Sequence, residues 1–230
     1  MIGSSPAFAD FFDAFSDPRH TRKVLGLGAM TLKQRFRGFL PVVLDLETGG
    51  FDAKSNAILE IAAVFVGFDE KDQALKVVDH WQQAVTPRPG SRIEEASLKI
   101  TGIDPERPGL SEAAAMRELF GLVRTQQKDA ECGRSVMVAH NAAFDMGFVN
   151  AAIERHQLKR SPFHPFTFID TASLAAVGVG HTVLREACER ADIVFDNDQA
   201  HSALYDATRT AELFCWMVNR WDERCGPALW

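Results

Sequence analysis

Phe39-Leu40-Pro41-Val42-Val43-Leu44-Asp45-Leu46-Glu47 is the stretch on which the fold turns. Its apolar run has the length of one strand, and a run without alternation marks a strand covered on both faces. Two acids close it. Side chains alternate along a strand, so Asp45 and Glu47 share one face of the sheet. Like charges this close repel unless a cation lies between them. A D-x-E pair at a strand end also arises as a solvated pair or a turn cap, here through Thr48, so taken alone it leaves both readings open.

Outward from this strand, 57–68 and 77–85 carry strand patterns. Helical periodicity follows at 111–124, with Ser111 and Glu112 as start signals. A short apolar strand is expected at 135–139, a helix at 143–156, two more at 170–177 and 183–191, and a long last helix at 200–219. The Pro-rich segment 159–166 reads as a loop. Strands first, then strand alternating with helix, predicts an α/β fold in which helices flank a mixed central sheet. Residues 1–33 lack sustained periodicity and read as a loosely ordered N-terminal extension, with Met30 an alternative start, while 34–230 read as one globular domain.

With 46% hydrophobic and 24% charged residues in 230, the composition is that of an ordinary soluble protein. No stretch approaches the roughly 20 consecutive apolar residues of a membrane span, and Asp10, Asp13 and Asp17 interrupt any secretory signal. The expected place is therefore the cytoplasm, with no membrane partner. Cys132, Cys188, Cys215 and Cys225 lie far apart, which argues against a disulfide framework or a zinc finger and leaves reduced thiols. The net charge of −6 does not exclude a nucleic-acid partner, because carboxylates filled by cations bind an anionic substrate through their metals.

A second acid, Asp145, follows the 135–139 strand within His140-Asn141-Ala142-Ala143-Phe144-Asp145. A first-turn acid with Asn141 as N-cap needs no function, but that leaves the flanking His140 and Phe144 unexplained. A third segment, His201-Ser202-Ala203-Leu204-Tyr205-Asp206, sets an aspartate in a helical pattern that does not favour it, next to the apolar face of Ala207, Ala211 and Phe214. Together Asp45, Glu47, Asp145 and Asp206 offer an oxygen-rich pocket suited to hard cations such as Mg²⁺ or Mn²⁺. Taken alone, His201 reads as a surface or satisfied histidine, and a catalytic role for it is left open.

In order and spacing, Asp45-x-Glu47, His140-Asn141-x-x-Phe144-Asp145 and His201-x4-Asp206 match the three motifs of the DEDD exonucleases of the histidine subtype, which this chain resembles from about residue 35 to about residue 224. Tyr205 adjoins Asp206, the wrong position for the tyrosine subtype. Four segments tie the chain to an RNA-trimming branch of that superfamily: Arg35-Phe36-Arg37-Gly38-Phe39, Glu47-Thr48-Gly49-Gly50-Phe51, Lys159-Arg160-Ser161-Pro162-Phe163-His164-Pro165-Phe166 and Ala200-His201-Ser202-Ala203-Leu204-Tyr205-Asp206.

The resemblance implies a ribonuclease H-like fold and 3′→5′ release of nucleoside 5′-monophosphates from RNA 3′ ends, tRNA and rRNA precursors among them, with single-stranded DNA a further substrate. It implies two Mg²⁺ per active site, with Mn²⁺ a substitute: one held by Asp45, Glu47 and Asp206, the other, about 4 Å away, reached by Asp45 and Asp145. His201 belongs to the same metal site, as the base, and His140 is assigned to structure. Phe51, Phe144 and Phe166 match aromatics that stack on terminal bases, each stack contributing roughly 1–3 kcal/mol. Ile100 and Ala96 depart from the pattern, standing where relatives have a further aromatic and a base-contacting Glu. Arg35, Arg37, Lys128, Arg134, Lys159 and Arg160 match RNA-binding positions, supplied across a homodimer. The readings that compete are a DNA proofreading or repair exonuclease, an oligoribonuclease, and a catalytically dead binding module, against which the complete set of acids argues.

Overall fold

The computed structural model describes residues 29–226; the expected extension lies outside the described residues up to position 28. In chain order the elements are α1 (Leu32–Arg35), β1 (Phe39–Thr48), β2 (Ile58–Phe68), β3 (Leu75–Thr86), α2 (Glu95–Thr101), β4 (Leu110–Ser111), α3 (Glu112–Asp129), β5 (Arg134–Ala139), α4 (Ala143–Arg155), β6 (Phe163–Asp170), α5 (Thr171–Gly178), α6 (Leu184–Arg190) and α7 (Ala203–Cys225). The strands form one sheet in the order β4-β3-β2-β1-β5-β6. β1 pairs antiparallel with β2, and β2 with β3, whereas β1 pairs parallel with β5 and β5 with β6. This is the mixed sheet flanked by helices that the order of patterns predicts. Met30 and Leu32 are buried, so the expected division between 33 and 34 falls inside a packed helix.

The deciding stretch is central, with residues 40–44 buried in β1 and every residue of 58–66 buried in β2. α7 packs along β1, β2 and β3, while α3 and α4 also reach β1. Ser111 caps α3 by accepting the Ala114 N–H at 3.3 Å, and the helix runs past 124 to Asp129. Among the described residues no helix is long and apolar enough to cross a membrane.

Three differences from the sequence reading have physical causes. The segment 159–166 is not a loop throughout: Phe163 opens an edge strand. It was masked by Pro165, which an edge strand accommodates because one side of its ladder has no partner, and by a bulge. Ser135 pairs with Phe163 but Met137 pairs with Phe168, so β6 carries extra residues there and bows outward. Second, α2 was unanticipated, being a single short turn set. Third, α7 begins at Ala203, because His201 holds a left-handed backbone with φ 65 and Ser202 is extended.

Candidate active site

β1 delivers its acids where its hairpin to β2 turns. Thr48 Oγ1 donates to the Gly50 carbonyl at 2.7 Å, so the turn is closed by Thr48 and neither acid is needed as its cap. Gly50 has φ 153, and a Cβ there would run into the Asn56 side chain. Asn56, fully buried, donates to the Gly49 carbonyl at 3.0 Å and accepts the Asp52 N–H at 2.9 Å. This staple aims Phe51 outward, leaving it 80% exposed.

Asp45, Glu47 and Asp206 bring one carboxylate oxygen each within 4.8 Å of one another. Asp145 stands beside them in the first turn of α4, and its Oδ1 accepts the Leu46 N–H of β1 at 3.1 Å. Asn141 is not the cap of that helix. It lies outside with φ 66, and its N–H and that of Ala142 donate to Asp170 Oδ1 at 2.9 and 3.2 Å. His140 is tied off, with Nδ1 3.0 Å from Thr171 Oγ1 and Nε2 2.7 Å from the Thr182 carbonyl. His201 is exposed, its backbone N–H donates to Asp206 Oδ2 at 3.0 Å, and its ring favours the Asp206 carboxylate.

The electrostatics are those of carboxyls crowded together in a buried place. Burial, then the charges of Asp145, Glu47, Asp206 and Glu60, holds the Asp45 carboxyl far above the usual range. Burial, then Asp206, Glu60 and Asp145, pushes Glu47 up to about 8. Burial raises Asp145 to about 7 against two backbone hydrogen bonds, and raises Asp206 despite His201. Among the described residues Asp206 Oδ1 is buried without a hydrogen-bond partner. Hard all-oxygen donors, mutual repulsion and an orphaned oxygen fit a divalent cation.

A pH dependence follows. Carboxyls whose folded-state pKa is raised favour the folded state when protonated, so their contribution is complete below the unfolded values and is lost as pH rises through about 8 for Glu47 and about 7 for Asp145. Metal-free protein should therefore melt at falling temperature between about pH 5 and about pH 8, while a saturating divalent ion, which must displace protons at the lower pH, should raise the melting temperature most at the higher pH. Melting curves with chelator and with Mn²⁺ test this; an ion-induced shift that is no larger at high pH contradicts it.

Phe144 joins Phe51, their ring centroids 6.1 Å apart edge to face, so two of the three expected aromatics form one wall beside Asp145. Phe166 lies elsewhere, 78% exposed on the β6 bulge with its ring 4.5 Å from that of His164. Ala96 and Ile100 are both exposed one turn apart on α2. Of the basic set, Arg35 is committed to Asp222, with Nη2 to Oδ1 at 2.9 Å and its side chain only 12% exposed. Arg37, Lys128, Arg134, Lys159 and Arg160 are exposed, and among the described residues none of them is in an ion pair.

The sequence pattern of the RNase_T family, described as exonuclease, matches residues 42–214. The chain belongs to that exonuclease family. A curated relative, ribonuclease T of Shewanella sp. (strain W3-18-1), is 51% identical over 204 residues, covering 86% of this chain and 90% of the relative. Among solved structures, a 3′-exonuclease described in 3′-end specific recognition of a histone mRNA stem-loop superposes with a TM-score of 0.65 at 15% identity, over 92% of this chain and 71% of that one. The nuclease domain of 3′hExo, a DEDDh family member bound to rAMP, gives 0.60 at 14%, over 87% and 98%. The fold is that of the DEDD exonucleases, and the chain is a 3′→5′ exonuclease, a hydrolase with a metal-binding acidic cluster. Sequence reasoning missed two buried polar residues beside this site, Asn56 and Glu60. The one available signal was a carboxylate inside the apolar run Ile58-Leu59-Glu60-Ile61.

Proposed function

We propose that the chain is a cytoplasmic 3′→5′ exoribonuclease that trims the 3′ ends of stable RNAs, tRNA and rRNA precursors among them, as a symmetric homodimer, with single-stranded DNA as a secondary substrate. One observation carries the reading: the acids and the exposed cations occupy opposite ends of β1. Phe39 pairs with Arg134 and Ser135 with Phe163, while Gly133 N donates to the Gly38 carbonyl at 2.9 Å, so Arg37, Arg134 and Arg160 gather at one end. Asp45 is six strand residues away, roughly 20 Å at about 3.3 Å each. A single-stranded 3′ end held at the acids leaves the rest of a structured RNA to be gripped elsewhere, and a two-fold partner presents its cations to the opposite subunit's acids.

Two Mg²⁺ ions supply Lewis-acid charge and an acidified water when bound. Asp45, Glu47 and Asp206 would hold one, and Asp45 and Asp145 would hold the other. His201 accepts the proton of the water that attacks phosphorus. The 3′ oxygen of the penultimate nucleotide departs, and a nucleoside 5′-monophosphate is released. Phe51 and Phe144 stack on the terminal bases, and Phe166 serves bases farther along. Timed digestion of matched RNA and DNA oligomers, with Mg²⁺ and with chelator, tests the reading: RNA shortened one nucleotide at a time only with the metal supports it, and preference for DNA overturns it.

The dimer has its own test. One protein carries Asp206→Asn; another has Arg37, Lys128, Arg134 and Lys159 changed to Ala. Each alone should be poor on structured RNA. After subunit exchange, half of the dimers are mixed and half of their sites are complete, so roughly a quarter of wild-type activity should return. No gain on exchange, or a monomer at working concentration, means that the patch acts within its own subunit or not at all.

A further inference from the structure

Glu60 is a buried acid that the metal chemistry does not use. It is 4% exposed and stands opposite Glu47 in the β1–β2 ladder, where its charge works against the carboxyls of Asp45 and Glu47. An anion kept in so unfavourable a place must be held by its partners. Its Oε2 receives Arg107 Nη2 in an ion pair, and Arg107 Nη2 also donates to the Leu59 carbonyl at 3.3 Å. Its Oε1 accepts Gln82 Nε2 at 2.7 Å and, from across the sheet, the backbone N–H of Ala203 at 3.2 Å.

Ala203 is the first residue of α7, and the cap residue Ser202 makes no side-chain capping bond. A helix leaves its first N–H groups without intrahelical acceptors, and a local Ser, Thr, Asp or Asn ordinarily supplies one. Here a carboxylate from another strand does so, and a negative charge is favourable at that end of the helix dipole. Two residues before the bond lies His201, in the left-handed conformation at φ 65, which a residue with a Cβ holds only when its surroundings fix it. Three residues after it lies Asp206, whose Oδ2 accepts the His201 N–H.

We propose that Glu60, clamped by Arg107, is a positioning residue that caps α7 through tertiary contact and so sets the His201–Asp206 turn for proton transfer. The proposal rests on His201 as base. Glu60 acts through that turn and touches neither the ion nor the substrate. Glu60→Ala should lower kcat by about ten- to a hundredfold, leaving KM for single-stranded RNA within about threefold and moving the Mn²⁺ midpoint of thermal stabilisation by a smaller factor than the rate, because Asp206 shares the turn but misplacing a catalytic group costs rate before affinity. Glu60→Gln, which keeps an oxygen for the Ala203 N–H, should lose less. In a His201→Ala background Glu60→Ala should add little.

Ala203→Pro guards against a variant that fails to fold. It deletes the donor but adds ring atoms at a fully buried position, so a melt must first show that the fold is kept; proline is otherwise accepted at the first helical position, and Ser202 at φ −105 and ψ 122 already has the backbone that precedes a proline. It should reproduce the Glu60→Ala loss of kcat. Unchanged kcat in a folded Ala203→Pro protein, additive losses with His201→Ala, or a Mn²⁺ midpoint that moves more than the rate each overturn the proposal. If His201→Ala alone costs nothing, the base assignment has failed instead.

Discussion

Asp45→Asn should abolish metal-dependent cleavage, lowering kcat about a thousandfold or more, the equivalent of about 4 kcal/mol, while the fold persists. Asp45 sits between Asp145, Glu47 and Asp206, each of which pushes its carboxyl upward after burial has done so. It is the donor common to both proposed ions. Asparagine preserves the volume but removes a charge, and this charge is a burden on the cation-free protein. The melting temperature in chelator should therefore hold or rise, because repulsion among buried carboxylates is relieved. Asp206→Asn should behave alike, since its Oδ1 is buried without a partner. The decisive measurement is turnover with Mg²⁺ as the only metal, paired with a melt in chelator. Near-normal turnover in either variant rules out the assignment of these acids, and a collapsed melt means that they hold the fold together.

His201→Ala should lower kcat by about 10²–10⁴-fold, the range that general-base groups supply, with KM for short RNA nearly unchanged. The side chain is exposed beside the acids and is held at its backbone, through the bond from its N–H to Asp206 and the left-handed turn that starts α7. It is therefore free to meet a water at the scissile phosphate. Steady-state kinetics separate the cases, because loss of a group acting only in the transition state lowers kcat and kcat/KM together. Free imidazole should restore part of the rate in the alanine variant. A change confined to KM would make His201 a contact to RNA and leave the base to be found among other groups.

Much of this was legible because the informative positions obey local rules. An unbroken apolar run from Leu40 to Leu44 can be satisfied only by cover on both sides, and the two-residue period then fixes Asp45 and Glu47 on one face. The acids of α4 and α7 were found by motif spacing. What escaped depends on distant partners. β6 was obscured because its ladder is interrupted between Phe163 and Phe168, which breaks the alternation that marks a strand. Arg35 read as a free cation because its partner, Asp222, is 187 residues away. Glu60 escaped for the same reason, since the donor it satisfies lies 143 residues on. With the last helix read as starting at 200, Ser202 fell inside it, and the need for a cap at Ala203 did not show.

α7 supplies the fourth acid and follows in the chain, at long separation, the strand that brings the first two. An emerging chain holds Asp45, Glu47 and Asp145 long before Asp206 can join them, and the gap is closed only when the final helix lies down across β1, β2 and β3. Closure over so long a separation comes late in folding. Nuclease activity is thereby coupled to docking of α7: a chain in which that helix has not yet packed on the sheet, surrounded by RNA, is disarmed by its own topology.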